Sequence, residues 1–300
     1  MKTLRSAWQW LAIHPHQLIG LRVLQVFLGA MLLFRMSTEA RFATFLWGPH
    51  GIGQGTTVAL FGPLGRALDL AFRSSFGTMG LVLVGATAGI CLICGTCTRA
   101  AAVAAFLVFQ TTELRLPELC DGGDNVARLV LVYMIFCLPH GSKPKAGSLS
   151  IWLHNVAVLA IGAQLCVLYF TSGLMKLTGE RWTHGVATYL ISQVEWFSLP
   201  GARDIFKSPV VAFLSTYTTM LFQFWFPVAI FTRAKLVWLL IGVVFHLNIA
   251  VMMGLVAFSL AMTGLELFFI TDEEWGQLSG SVRGLGSWLL TRWPTHRETA

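Results

Sequence analysis

A single lysine stands at the end of one of the most apolar stretches of the chain. The segment YFTSGLMKLTGERW, residues 169–182, follows the run VAVLAIGAQLCVL, and Lys176 lies where a membrane helix would be ending. Such a lysine can extend its ammonium group to the lipid headgroups as an anchor. It can also act as a base, provided that burial favours its neutral form. Tyr169 and Ser172 have the spacing that places them near Lys176 on one face of a helix, where they could position it.

Two further ionisable residues lie inside apolar segments. His246 is in the middle of IGVVFHLNIAVMM, and Glu266 is in the last apolar segment. An ionisable group within a bilayer costs about 2.5–3.5 kcal/mol on insertion scales, so it usually faces protein or a cavity. His246 is therefore expected either to hydrogen-bond a neighbouring helix, or to act as a proton relay or a hydrogen-bond donor to a substrate. Glu266 is expected to be similar, or simply to pair with an inward-facing arginine.

A glycine-bearing turn, CDGGDNVARL, leads into another apolar segment. Asp124 or Asn125 is the predicted N-cap of the helix that follows, with its side chain accepting backbone N–H bonds. The orientation predicted from the basic loops puts this turn on the same membrane face as Lys176. The candidate substrate-binding residues are therefore Tyr169, Ser172, Trp182, Asp124 and Asn125, and the candidate catalytic residues are Lys176 and His246.

The cysteines and histidines do not indicate a metal site. The motif CLICGTC contains Cys91, Cys94 and Cys97, but no strand pattern supports a thioredoxin motif there, and packing of small residues between helices explains the motif better. The six cysteines imply no disulfide network. The sequence FLWGPHGIGQG carries G-x-G-x-G without the preceding strand and following helix that a dinucleotide site needs. The HPH near the amino terminus stands alone, so no metal is predicted.

The composition indicates a membrane protein. Of 300 residues, 55% are hydrophobic and only 12% are charged, and the mean hydropathy is +0.69. A soluble domain carries about 25% charged residues. The net charge of +7 does not indicate nucleic-acid binding, because the basic residues are scattered through short loops. The predicted partner is the lipid bilayer, and nucleic acid is excluded.

The apolar runs predict an all-α, polytopic membrane protein with about eight transmembrane helices. The stretch TTVALFGPLGRALDLAF, which carries Pro63, Arg66 and Asp69, is predicted to be an interfacial or re-entrant helix rather than a span. The predicted spans are Leu18–Phe34, Thr78–Cys97, Ala100–Thr112, Val126–Leu138, Ile151–Met175, Val210–Phe231, Leu236–Met253 and Val256–Ile270.

The basic residues predict the orientation of these spans. With the amino terminus in the cytoplasm, three inward loops are basic and contain no acidic residue: TCTRA, HGSKPKAGS and FTRAKL. The outward loop ELRLPELCDGGDN is net acidic. Residues 1–275 are thus predicted to form one membrane domain of the inner membrane, and residues 276–300 a short cytoplasmic tail. No cleavable signal peptide is expected, and Lys176 lies at the outer face.

The segment VLYFTSGLMKLTGERWTHGVATY resembles the signature helix of the horizontally transferred transmembrane (HTTM) domain, the membrane part of vitamin K-dependent gamma-carboxylase. The residues that carry the resemblance are Tyr169, Phe170, Ser172, Gly173, Lys176, Leu177, Trp182 and Gly185. A second segment, GVVFHLNIAVMMGLVAFSLAM, resembles the carboxylase's Phe-His helix and the Phe-Ser that follows it. The GGDN turn is similar to that of bacterial members. A compact chain of this length looks most like the sporulation-delaying protein B group.

The resemblance implies a role for Lys176. In the carboxylase, the matching lysine is held to be the base that deprotonates vitamin K hydroquinone, and oxygen then converts this quinol to an epoxide. The resemblance therefore implies a quinol, vitamin K-like, as the cofactor. Because the sequence ends shortly after the last predicted span, a counterpart of the carboxylase's large lumenal domain is not expected. The sporulation-delaying protein B group is linked to maturation of a secreted peptide toxin, which implies a small secreted peptide and accessory proteins as partners.

Two functions follow as hypotheses. The first is an enzyme that binds a lipid-soluble quinol between helices and uses Lys176, assisted by His246, at the outer face. The second is a non-enzymatic membrane factor for maturation or export of a secreted peptide. A transporter is disfavoured, because no second half of the chain resembles the first. Lys176 separates the first two hypotheses, since only the enzyme requires a lysine rather than an arginine.

Overall fold

The chain folds into helices throughout the part that the structure describes. The structure is a computed structural model, and it describes residues 8–53, 55–139, 141–195, 198–199 and 201–280. Within those ranges there is no strand, so the prediction of an all-α fold is confirmed for them. The eight long helices that pack together are α1 Leu18–Glu39, α2 Ser75–Cys94, α3 Thr98–Arg115, α4 Gly122–Met134, α5 Leu149–Leu177, α6 Pro209–Ala229, α7 Lys235–Met253 and α8 Val256–Phe268.

Among the described residues, four helical stretches are long and apolar enough to cross a membrane. They are Leu18–Trp47, which contains α1, and the helices α2, α5 and α7, while α8 is a shorter apolar helix. Large apolar side chains on the outside of α7 are largely exposed, including Leu240 at 63% and Val251 at 64%. Apolar surface of this extent on a long helix is typical of contact with lipid. The chain therefore has the helices of a membrane protein.

Each of the eight predicted apolar segments falls on one of the eight helices, and the differences lie at the ends. The first segment was predicted to stop at Phe34, but α1 continues to Glu39. The reason is that Arg35 donates to Glu39 one turn later, at 3.0 Å, so that two charged residues are satisfied within the helix. A pair of this kind cannot be distinguished from a polar loop by hydropathy alone.

Short turns join α2 to α3 and α7 to α8. The α2 helix begins after Ser74, whose side chain accepts from the Gly77 N–H, and it ends at Gly95, where φ is 74°. Gly254, with φ of 70°, ends α7, and α8 begins two residues later. A left-handed residue at the end of a helix favours glycine, because glycine has no Cβ to clash there. The tight connection makes α7 and α8 neighbours.

The helix α1 lies at the centre of the bundle and packs against α2 and α8. At the crossing of α1 and α2, a Cβ added to Gly29 would come within 2.6 Å of the Gly89 carbonyl oxygen, so the two backbones approach closely. Small residues at such a crossing are typical of helix packing in membranes. The helices α3 and α4 extend the bundle beyond α2, and α5 pairs with α6. This arrangement brings α5, α7 and α8 together around the candidate site.

The segment predicted to be interfacial forms a broken helix, Val58–Ala71. Its break falls at Gly62, which has φ of 53° and precedes Pro63. Asp69 holds it in place by accepting from the Thr57 hydroxyl at 2.9 Å and from Arg115 Nη1 of α3 at 3.3 Å. The helix is thus fixed to the end of α3.

The residues before α1 are fastened to the start of α5. Asn155 accepts from the His16 N–H at 3.1 Å, and its Nδ2 donates to the carbonyls of Trp10, Leu11 and His14. His154 Nδ1 accepts from the Leu138 N–H at 3.1 Å, and its Nε2 bonds the His16 carbonyl at 2.8 Å. These buried bonds fix the neutral state of His154, because Nδ1 is an acceptor and Nε2 a donor. Of the predicted tail, 276–300, only residues 276–280 lie within the described part.

Candidate functional site

Lys176 lies in the last turn of α5 and turns toward α6. Its Nζ donates to Gln223 Oε1 at 2.8 Å, and it lies 5.0 Å from the centroid of the Trp182 ring. The side chain is half-buried. Among the described residues no carboxylate oxygen lies within 4 Å of Nζ. The lysine is therefore held by a neutral amide and an aromatic face.

A second group of polar side chains lies deeper in the bundle, where three helices meet. The Tyr169 hydroxyl donates to Glu266 Oε1 at 2.6 Å, and His246 Nδ1 lies 3.1 Å from the same oxygen. His246 Nε2 is 3.5 Å from the Tyr169 hydroxyl oxygen. All three side chains are at most 1% exposed. We call Tyr169, His246 and Glu266 the buried triad.

Of the two interpretations of Glu266, hydrogen bonding to neighbouring helices fits the contacts, and pairing with an arginine is not found among the described residues. The described partners of Glu266 are Tyr169 of α5 and His246 of α7, neither of which is a permanent cation. The physical reason is position: Glu266 sits two to three turns into α8, on the face that meets α5 and α7. His246 does hydrogen-bond neighbouring helices, as one of its two interpretations required.

Local sequence explains how the buried triad fits. A Cβ added to Gly242 would lie 2.2 Å from Glu266 Oε1, so only glycine leaves room for the carboxyl group against α7. The Gly242 carbonyl also lies 3.0 Å from His246 Nδ1. Phenyl rings enclose the group: Phe226 lies 4.4 Å and Phe222 5.5 Å from the Tyr169 ring centroid. The triad is a polar site in aromatic surroundings.

The sequence-predicted site residues therefore separate into groups. Tyr169 precedes Lys176 by seven residues on α5, which is about 10 Å along the helix axis at 1.5 Å per residue. Tyr169 thus belongs to the buried triad rather than to the surroundings of Lys176. Ser172 is half-buried between the two levels. Trp182 is the predicted binding residue that contacts Lys176.

Asp124 and Asn125 lie in a third group, at the start of α4. The prediction that one of them is the N-cap is wrong: the N-cap is Asp121, which accepts from the Gly123 and Asp124 N–H groups. The helix begins at Gly122, earlier than predicted, so Asp124 falls in its first turn and accepts from the Asp121 N–H at 2.9 Å. This reciprocal pair is a capping box. Asn125 accepts from Arg128 Nη2 at 2.9 Å.

Asp124 also takes part in a buried ion cluster that sequence reasoning missed. Arg35 of α1 donates to Asp124 Oδ1 at 2.5 Å and to Glu39 Oε1 at 3.0 Å. The three side chains are 6%, 6% and 14% exposed, in the order Arg35, Asp124, Glu39. The available signal was Arg35 itself, an arginine directly after the predicted first segment and inside α1. We call Arg35, Glu39 and Asp124 the arginine cluster.

The CLICGTC motif forms the turn between α2 and α3. Cys91 is half-buried, while Cys94 and Cys97 are exposed. Of the three cysteines, only Cys91 therefore fits the predicted role of packing between helices. Arg22 of α1 donates to the carbonyls of Leu92 and Ile93 and so satisfies the end of α2. In the described part of the chain, no group of three or more His, Cys, Asp or Glu residues is placed to hold a metal ion.

Cys120 provides a pH-dependent test of the structure just before α4. Burial raises the pKa of its thiol to about 11, and the nearby Asp124 carboxylate adds to that shift. Because a thiol reacts as the thiolate, Cys120 should react slowly with a maleimide near neutral pH and faster as the pH approaches that value. The measurement is labelling rate against pH in a purified variant that keeps Cys120 alone. A variant that keeps only the exposed Cys94 is the control, and equal rates in the two variants at neutral pH would contradict the expected burial.

Comparison with known proteins gives one partial likeness. The chain is similar to the "Uncharacterized protein YitO" of Bacillus subtilis, with 31% identity over 126 residues. The matched region covers 40% of this chain and 40% of that protein. No protein-family model and no solved structure matches the chain.

Proposed function

We propose that this chain is an HTTM-type membrane enzyme that uses Lys176 as a base on a lipid-soluble quinol at the outer face. The observation that carries the proposal is the setting of Lys176. A lysine that serves only as an anchor extends toward the headgroups, whereas Lys176 turns to Gln223 of a neighbouring helix at 2.8 Å. Its half-burial between α5 and α6 favours the neutral form that a base requires.

The partner of Lys176 suits a lysine that gains and loses a proton. A carboxylate at 2.8 Å would hold the ammonium form strongly, because opposite charges at that distance attract. An amide oxygen accepts a hydrogen bond without carrying a net charge. The Trp182 ring adds an attraction to the ammonium of about 0.5–1 kcal/mol at an exposed site. Lys176 is thus positioned in both protonation states without being fixed in the charged one.

The residues around Lys176 fit a quinol. Trp182 offers an aromatic face and Gln223 an amide, both within reach of the lysine, and exposed apolar side chains such as Leu174 and Met175 adjoin it. A quinol, when bound, would supply a dissociable phenolic proton and two electrons for reaction with oxygen. Lys176 would take the phenolic proton on Nζ, while Gln223 and Trp182 orient the amine. The product of that reaction would act on a small secreted peptide. Accessory proteins would be further partners.

A non-enzymatic function is the second candidate, and the contact with Trp182 favours it. An ammonium group over an indole ring is a stabilising contact in its own right. In that case the protein would recognise a secreted peptide and take part in its maturation or export without chemistry of its own. Exchange of Lys176 for arginine separates the two functions, because arginine keeps the charge and the contact but cannot act as a base. Loss of activity on this exchange would support the enzymatic function.

We also propose that α1 to α8 are eight spans of the inner membrane, with both termini in the cytoplasm. The basic inward loops and the length of the four most apolar helical stretches support this topology. Reporter fusions after Lys145 and after Lys235 should both report the cytoplasm. A fusion after Asp121 should report the outer face and is the control for the opposite side. A cytoplasmic signal from the Asp121 fusion, or an external one from either lysine, would contradict the topology.

A further inference from the structure

The buried triad contains an arrangement of donors and acceptors that one additional proton completes. His246 Nδ1 faces two acceptors, the Gly242 carbonyl at 3.0 Å and Glu266 Oε1 at 3.1 Å, so Nδ1 carries a hydrogen. The Tyr169 hydroxyl donates its own hydrogen to Glu266 Oε1 at 2.6 Å. The Tyr169 oxygen therefore presents lone pairs to His246 Nε2 at 3.5 Å. A hydrogen on Nε2 would turn this contact into a hydrogen bond from His246 to the Tyr169 oxygen.

Charge compensation favours the same state. An ionised Glu266 with a neutral His246 would leave a net negative charge at a place where Glu266 is 0% exposed. The penalty for burying one uncompensated ion is several kcal/mol. A doubly protonated His246 beside an ionised Glu266 makes the pair neutral. A proton on Glu266 Oε2 would also make it neutral, but Oε2 is buried and has no hydrogen-bond partner among the described atoms.

Among the described residues, no other ion pair includes a member of the buried triad. The helix α6 faces it with the phenyl rings of Phe222 and Phe226. The helix α1 packs on α8 through Leu24 and Phe27, which lie against Gly264. The ionisable groups of the site within hydrogen-bond distance are thus Tyr169 of α5, His246 of α7 and Glu266 of α8.

We propose that Tyr169, His246 and Glu266 form a binding site for one transferable proton, held between the His246 imidazole and the Glu266 carboxylate. The N–H bond at Nε2 breaks as the Tyr169 oxygen takes that proton, and the Tyr169 O–H bond breaks as Glu266 Oε1 takes the other, so the electron pair left on Nε2 belongs to a neutral imidazole, Glu266 becomes protonated, and the site stays neutral. Tyr169 bridges the two groups through its hydroxyl. If the proposed function holds, this site lies one level below Lys176 on α5.

The test is nitrogen-15 NMR of the histidine side chains in the purified full-length protein in lipid nanodiscs. The chain has eight histidines, and the signals of His246 are assigned by their loss in His246→Gln. At neutral pH we expect both His246 nitrogens to be protonated. In Glu266→Gln, which keeps the size of the side chain and removes its charge, we expect a neutral imidazole. His154 is the internal control, because its backbone bonds fix it as neutral.

A neutral His246 in the wild-type protein, unchanged by Glu266→Gln, would overturn the proposal. Should Glu266→Gln not accumulate in the membrane, Tyr169→Phe provides the same decision. It keeps the carboxylate that compensates the charge, so we expect both His246 nitrogens to stay protonated. A neutral His246 in Tyr169→Phe would equally overturn the proposal. These readouts do not depend on enzymatic activity. A neutral His246 together with a requirement for Lys176 would refute the proton site alone, and the reverse result would refute the proposed function alone.

Discussion

Exchange of Lys176 for arginine is expected to abolish activity while the protein still inserts into the membrane at its normal level. Arginine reaches as far as lysine and retains its contact with an aromatic ring, but it stays protonated at any ordinary pH. A base needs the neutral amine, so a loss of at least about 100-fold is expected from the usual contribution of general base catalysis. The measurement is complementation in the native host, read beside membrane abundance. Lys176→Ala should be as inactive as Lys176→Arg and should reach the same abundance in the membrane.

Two further variants make this result specific. Gln223→Glu would place a carboxylate where the amide now accepts from Nζ at 2.8 Å. It should lower activity by holding Lys176 in the charged state, although the hydrogen bond itself is kept. Lys207→Arg is the matched control, because Lys207 is exposed and pairs only with Asp204 among the described residues. Full activity of Lys176→Arg would show that the lysine is an anchor, and the non-enzymatic function would then be the better explanation.

Hydropathy located the helices, because a helix that crosses a membrane must be apolar over most of its length. Apolar length alone identified the segments that became α5 and α7, and their predicted ends, Ile151–Met175 and Leu236–Met253, lie close to those observed. Ends that depend on a side-chain bond were missed. The start of α4 is set by Asp121 accepting two N–H groups, and nothing in the sequence distinguishes that aspartate from Asp124 three residues later.

Contacts between helices were out of reach for a different reason. Lys176, His246 and Tyr169 were recognisable because an ionisable or polar group within an apolar segment needs a partner. The partners themselves are far away in sequence: Gln223 follows Lys176 by 47 residues, and Glu266 follows Tyr169 by 97. Pairing across such separations depends on which helices are neighbours. The sequence therefore indicated which residues need a partner, and the packing of α5 with α6 and α8 decided the pairs.

The arginine cluster shows the same limit, and it carries the largest expected effect on stability. Arg35 lies in α1 directly after the predicted first segment. Its carboxylate partners are Glu39 one turn on and Asp124 on α4, 89 residues away. Removal of one partner from a buried ion pair costs about 3–5 kcal/mol, because the remaining charges stay buried without compensation. Arg35→Met leaves two carboxylates in that state. It should sharply lower both membrane abundance and the thermal unfolding midpoint of the purified protein.

The interpretation depends on charge rather than on the loss of a large side chain, and this can be tested directly. The triple variant Arg35→Met, Glu39→Gln, Asp124→Asn removes all three charges and keeps the sizes, so the midpoint should recover most of the way to the wild-type value. Lys207→Met is the control for the loss of a cation at an exposed pair and should leave the midpoint unchanged. A triple variant as unstable as Arg35→Met would show that the guanidinium acts by packing, for which its position 5.5 Å from the Phe109 ring centroid would then be the reason. Recovery, in contrast, would establish that α1 and α4 are joined through a charge balance, which is why the cluster tolerates its place inside an apolar bundle.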